Sequence, residues 1–98
     1  MKNLIWYIFA GTRGGISRAR IVQLIRYNPS NTNKISEILK LDYKTVRHHL
    51  KVLDKNKLIY AIEKEKYGAV YFLSENMEAN IQIFNDIWDK IGPNLGKS

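Results

Sequence analysis

Leu41-Asp42-Tyr43-Lys44-Thr45-Val46-Arg47-His48-His49-Leu50-Lys51-Val52-Leu53 is the stretch that decides the fold of this chain. Asp42 is a helix-capping residue, because its short carboxylate reaches backbone N–H groups that the first helical turn leaves without partners. From Tyr43 onward, Val46, Leu50 and Leu53 recur at spacings of four and three, which places them on one stripe of a helix over 43–55. Tyr43 and His49 flank that stripe. At about 100° per residue, Lys44, His48, Lys51 and Lys55 fall on the opposite face, with Thr45, Arg47 and Val52 at its sides. One face is built for a core, and the other is cationic and rich in hydrogen-bond donors.

Toward the N terminus, Ile35, Ile38 and Leu39 give a second helix, over 33–40, a short apolar face, with Asn31 or Thr32 as its cap. Leu41 and Asp42 leave only a tight turn between these two helices. Before them, Ala19, Ile21, Val22, Leu24 and Ile25 predict a helix over 17–27, with Arg18, Arg20 and Arg26 between the apolar positions. Asn28-Pro29-Ser30 stops it, since a proline disfavours helix at the residue before it. Toward the C terminus the period changes to about 2 after Asn56-Lys57. A strand over 58–63, a turn over 64–68 and a strand over 69–73 make a β-hairpin. An isolated hairpin is marginal in water, so this one must lie against the helices.

Ser74 caps a last predicted helix over 75–91, stopped by Gly92-Pro93. Its Met77, Ile81, Phe84, Trp88 and Ile91 are spaced four, three, four and three, which is a heptad seam. Ile83 and Ile87 add a second apolar edge. That is more apolar surface than so small a domain covers, so the seam is expected to pair with a second copy of the chain. The apolar run over 4–10, including Trp6, is expected to contribute, and periodicity leaves open whether it is helix or strand.

The 98 residues suffice for one domain, and 45% hydrophobic content makes it globular. The absence of cysteine excludes a disulfide framework, a thiolate zinc site and a cysteine nucleophile. The net charge of +7 is unevenly spread: twelve Lys/Arg face three Asp/Glu in residues 1–60, against four and six in 61–98. The front of the chain is thus a candidate surface for a polyanion. The run over 4–10 is shorter than a bilayer span, which takes roughly 20 residues, and no cleavage site follows it. We read it as a buried segment of a cytoplasmic protein with no membrane partner.

No cofactor and no enzymatic activity are expected. The acids are scattered, and the adjacent His48 and His49 point about 100° apart, so they cannot clamp one metal. Gly11-Thr12-Arg13-Gly14-Gly15 precedes a helix but lacks the Lys-Ser/Thr ending of a nucleotide loop. It reads as a connector, with Arg13 available to a phosphate.

The order helix, helix, tight turn, helix, hairpin is that of a winged helix-turn-helix: an α+β, mainly α fold of three helices and a β-hairpin wing, here with a C-terminal dimerisation helix. The chain divides into an N-terminal segment and Gly-rich connector over 1–15, the winged helix-turn-helix over 16–73, and the C-terminal helix and tail over 74–98. A helix presenting donors and cations opposite its core stripe suits a DNA major groove. The stretch quoted above, with Val46-Arg47-His48-His49-Leu50-Lys51-Val52-Leu53 as its most specific part, followed by Asn56-Lys57-Leu58-Ile59, resembles the helix-turn-helix of ArsR-like winged-helix regulators. Phe9-Ala10-Gly11-Thr12-Arg13-Gly14-Gly15 is similar to the opening of compact archaeal members.

The resemblance implies a dimeric regulator, most simply a repressor, that binds double-stranded DNA at an inverted repeat. By it, Tyr43, Lys44, Thr45, Arg47, His48 and Lys51 touch DNA, and His49 is structural. Lys55, Arg13 and the wing-tip Lys64 and Lys66 extend the expected contact. Metal sensing does not carry over, because the chain has no cysteine, and any effector is unknown. The competing expectation is a winged helix used as a nonspecific nucleic-acid binder or a protein-interaction module.

Overall fold

The apolar run at the N terminus, whose uniform hydrophobicity carries no period, is helical. In this structure, a computed structural model, residues 1–64 and 68–91 are described, Lys64 by its backbone alone. The elements are α1 (Lys2–Ala10), α2 (Gly15–Tyr27), β1 (Ser30–Asn31), α3 (Thr32–Leu39), α4 (Tyr43–Lys55), β2 (Ile59–Lys64), β3 (Gly68–Leu73), α5 (Glu75–Ala79) and α6 (Ile81–Ile91).

The anticipated helices and hairpin are present, and the wing gains a strand. Ser30 pairs with Tyr71 and Asn31 with Val70, so the sheet is antiparallel and three-stranded in the order β1-β3-β2. The third strand anchors the hairpin to the helical body, as does Ser74, whose N–H donates to the Leu58 carbonyl (3.0 Å) and whose Oγ donates to the Lys57 carbonyl (2.8 Å).

The C-terminal segment differs from the single helix expected over 75–91. Ser74 does cap it, accepting from the Met77 N–H at 3.1 Å. The helix then stops at Ala79, and Asn80 turns the chain before α6. The Asn80 N–H bonds the Met77 carbonyl and the Ile83 N–H bonds the Asn80 carbonyl, so the turn is closed by its own backbone. The heptad spacing therefore does not describe one straight seam. Met77 and Phe84 are wholly buried inside this chain, whereas Ile81, Trp88 and Ile91 pack only partly against its core, as does Trp6 of α1.

The core is continuous from α1 to α6. Ile5, Ile8 and Phe9 of α1 join Ala19, Ile21, Val22 and Ile25 of α2, Ile35 of α3, Val46, Leu50 and Leu53 of α4, Leu58 and Ile59 at the wing, and Phe84 and Ile87 of α6. Phe9 meets Phe84 edge to face, with centroids 5.1 Å apart and planes at 76°, a geometry that adds to simple burial. Arg26 extends from α2, donates to Asn85 Oδ1 at 2.8 Å and lays its guanidinium over the Phe84 ring.

The glycines of the connector are a packing requirement. A Cβ on Gly15 would stand 2.3 Å from the Phe9 carbonyl oxygen, and one on Gly14 would stand 2.6 Å from His49 Cε1. The first neighbour is backbone and cannot step aside. We expect Gly15→Ala to destabilise the fold by about 1–3 kcal/mol, the usual range for forcing atoms into a filled site, as a lowered urea midpoint.

Candidate nucleic-acid interface

α4 owes its position to both of its ends and to its stripe. At its start, Asp42 Oδ2 accepts from the N–H groups of Lys44 (3.0 Å) and Thr45 (3.3 Å), which is the capping expected from the sequence. The turn before it is closed by hydrogen bonds. Lys40 ends α3 in the left-handed region (φ 56°), the Leu41 N–H bonds the Ser36 carbonyl, and Ser36 Oγ donates to the Leu41 carbonyl. Arg20 of α2 fastens the same corner by donating to the Leu39 carbonyl at 2.9 Å. The Asn31 side chain caps α3 through the Lys34 N–H.

Along α4, Val46, His49, Leu50 and Leu53 are buried. Tyr43, Lys44, Thr45, Arg47, His48, Lys51 and Lys55 are all exposed, on the side turned away from the core. Tyr43 keeps 44% of its surface open at the start of the helix. Arg47 leans toward the wing, where its charge acts on the Tyr71 hydroxyl. Burial first, then the charges of Asp54 and Glu63, push that phenol above its usual range. Arg13 is exposed in the turn between α1 and α2. Lys64 ends β2 opposite Gly68, and Lys66 lies outside the described residues. The structure thus gathers the α4 residues on one surface.

Arg18, inconspicuous in the sequence, sits under this surface. It is only 5% exposed. Its Nε donates to the Ile8 carbonyl at 3.1 Å, its Nη2 donates to Thr12 Oγ1, and its Nη1 donates to His49 Nδ1 at 3.3 Å. The signal was present: Ile21, Val22 and Ile25 follow Arg18 at three, four and seven residues, which puts the arginine on the apolar face of its helix. His49 is only 6% exposed, in keeping with its place beside the core stripe. Burial chiefly, then the positive charges of Arg18 and His48, hold its pKa below the ordinary 6.5. Burial likewise lowers the Arg18 pKa, with Tyr7 opposing.

Among the described residues, no group of three or more His, Cys, Asp or Glu stands close enough to hold a metal ion, and no helix is long and apolar enough to cross a membrane. A groove of about 100 Å³ lies beside Tyr43, lined also by Asn31, Thr32, Asn33, Gly68 and Ala69.

Two consequences are measurable. Asp42→Ala removes an N-cap and is expected to cost about 0.5–2 kcal/mol in urea unfolding. Because the folded state lowers the His49 pKa, the unfolded chain binds the proton more readily. Stability is therefore full above about pH 6.5 and declines as pH falls below it, toward the lowered folded value. Thermal melts from pH 8 to 5 are expected to show this decline, and His49→Asn to reduce it.

Residues 17–61 match the family of bacterial regulatory proteins, arsR family. No curated protein matches the chain's sequence. Among solved structures, the Zα domain of zebrafish PKZ is 28% identical over 65% of this chain and all of that one, with a TM-score of 0.59. The transcriptional regulator SlyA is 22% identical, with a TM-score of 0.64 over 99% of this chain and 70% of its own. MepR, a transcription regulator of the Staphylococcus aureus multidrug efflux pump MepA, is 20% identical, with a TM-score of 0.64 over 80% of this chain. The chain spans only 60% of MepR's length. At these identities, SlyA and MepR establish the fold. The chain has the winged helix-turn-helix fold, and its residues 17–61 are similar to the arsR family of bacterial regulatory proteins.

Proposed function

We propose that this protein is a cytoplasmic transcriptional regulator that binds double-stranded DNA sequence-specifically, as a homodimer on an inverted repeat, and acts as a repressor. One observation carries the reading: the whole exposed side of α4, from Tyr43 through Lys44, Thr45, Arg47, His48 and Lys51 to Lys55, is polar or cationic and stands opposite a buried stripe. Lysines and Arg47 supply charge for phosphates, and Arg47, Thr45 and His48 supply reach and donors for base edges. Exposed Arg13 adds charge at one side, and Lys64 and Lys66 are proposed to contact the flanking backbone from the wing. The arsR-family match over 17–61 supports the reading, as does the structure of a MepR variant bound to an oligodeoxyribonucleotide.

The dimer is carried by α1 and α6. Trp6, Ile81, Trp88 and Ile91 pack only partly against the core of their own chain. Met77 and Phe84, buried beneath them, support that surface from inside. A groove of about 530 Å³ runs between the two helices, lined by Lys2, Trp6, Ile83, Asp86, Asp89 and Lys90. Its two acids and two bases suit an isologous contact, in which the same patch meets itself. In the proposed dimer, two α4 helices related by a two-fold axis would read half-sites about one DNA turn apart.

Selection from a random duplex pool at about physiological salt tests the reading. Enrichment of an inverted repeat is expected; retention only at low salt, without enrichment, would instead indicate a nonspecific binder. Lys44→Ala with Arg47→Ala is expected to lower affinity for the selected duplex by about 1–3 kcal/mol or more, with the circular dichroism spectrum unchanged. Trp88→Glu is expected to give monomers by light scattering while far-UV dichroism is retained; a persisting dimer would move the interface elsewhere.

A further inference from the structure

Arg18 joins three parts of the molecule that are otherwise distinct. Its guanidinium holds the carbonyl of Ile8 at the last turn of α1, the hydroxyl of Thr12 in the connector, and the imidazole of His49 in α4. Thr12 Oγ1 in turn reaches back to the Ile8 carbonyl. A guanidinium only donates, so the His49 Nδ1 that it meets at 3.3 Å must carry a lone pair, and the imidazole must be neutral with its proton on Nε2. Gly14 seals the junction, since a Cβ there would collide with both His49 and Arg18. His49 lies within α4, immediately next to His48 on the exposed side, with ring centroids 5.5 Å apart.

We infer that Arg18 is a positioning residue for the DNA-reading helix: through His49 it locks α4 to the C-terminal end of α1, and a proton on His49 releases the lock. The inference rests on the DNA-binding function proposed above, and it assigns that function a regulation. Protonated His49 has two N–H donors and no acceptor, so Nδ1–H would face the Arg18 N–H with like charge on both sides. The bond that spans the two helices then has no acceptor. Among the described residues, the other titratable groups acting on the pair are His48 on α4 and Tyr7 on α1. The charge of His48 acts against a proton on His49, which works in the same direction. α1 also bears Trp6 of the proposed dimer surface, so the lock connects the pairing of two copies to the placement of the two α4 helices.

Protonating buried His49 loosens α4 and so weakens DNA binding. The test is the affinity of the full chain for its selected duplex from pH 7.5 to 5.5, in the parent, Arg18→Met and His49→Asn. The asparagine Oδ1 stands where Nδ1 stood and accepts from Arg18 without titrating. The parent is expected to weaken on acidification, and His49→Asn to match it at pH 7.5 and to lose that weakening. Arg18→Met is expected to bind about two- to thirtyfold more weakly at pH 7.5, with the salt slope unchanged, because Arg18 touches no phosphate.

In the same proteins without DNA, the His49 titration is followed by NMR. Amide shifts at Ile8 and Thr12 are expected to move with the imidazole of the parent and to stay still in Arg18→Met. Acid weakening that persists in His49→Asn, parent-like affinity in Arg18→Met, or shifts confined to α4 would each overturn the lock. If the parent binds no duplex at all, the DNA-binding function fails. The titration then still decides whether α1 and α4 are coupled.

Discussion

The burial of Val46, Leu50 and Leu53 against α2 and the base of the wing is the constraint on which the rest of this structure depends. Each fully buried aliphatic side chain of this size contributes about 1.5–3 kcal/mol, and the three share one stripe. Rotating α4 about its axis would expose them together, so the helix has one stable orientation. That orientation turns Lys44, Arg47, His48 and Lys51 outward. The chemistry of the face thus follows from the packing of its reverse side. The Asp42 cap and the hydrogen-bonded corner at Lys40–Leu41 fix where the helix begins, which sets the height of the face above the domain.

The N-terminal third serves this arrangement from below. α1 adds Ile5, Ile8 and Phe9 to the core and leaves Trp6 half-covered. Its last turn runs so close to Gly15 that backbone meets backbone. The space left at that junction is filled by a guanidinium, which a purely apolar core would exclude because an unpaired buried charge is costly. Arg18 is tolerated there because Ile8, Thr12 and His49 each offer it an acceptor. A buried arginine with three partners on three segments specifies how those segments fit, where an aliphatic residue would only fill volume.

What the sequence disclosed and what it hid divide along physical lines. α4 was legible residue for residue because cap, stripe and polar face all agree. α1 was undecided, since a run apolar on every side lacks the period that separates helix from strand. β1 escaped notice because two residues, Ser30 and Asn31, have no pattern of their own and are a strand only by pairing with Tyr71 and Val70. The break at Asn80 was hidden by arithmetic: the four-three spacing runs through it, while the chain's own backbone bonds end one helix and start another. Part of the expected seam, Met77 and Phe84, is consumed by the intrachain core for the same reason. Arg18 was visible in its spacing to Ile21, Val22 and Ile25. Its partners were not, because Thr12 and His49 are brought to it only by tertiary structure.

The most direct measurement of the central claim is chemical-shift mapping of the full chain as its selected duplex is added at physiological salt. The largest changes are expected at Tyr43, Lys44, Thr45, Arg47, His48 and Lys51, with smaller ones at Arg13 and along the wing. Changes centred instead on α6, with α4 unmoved, would contradict it.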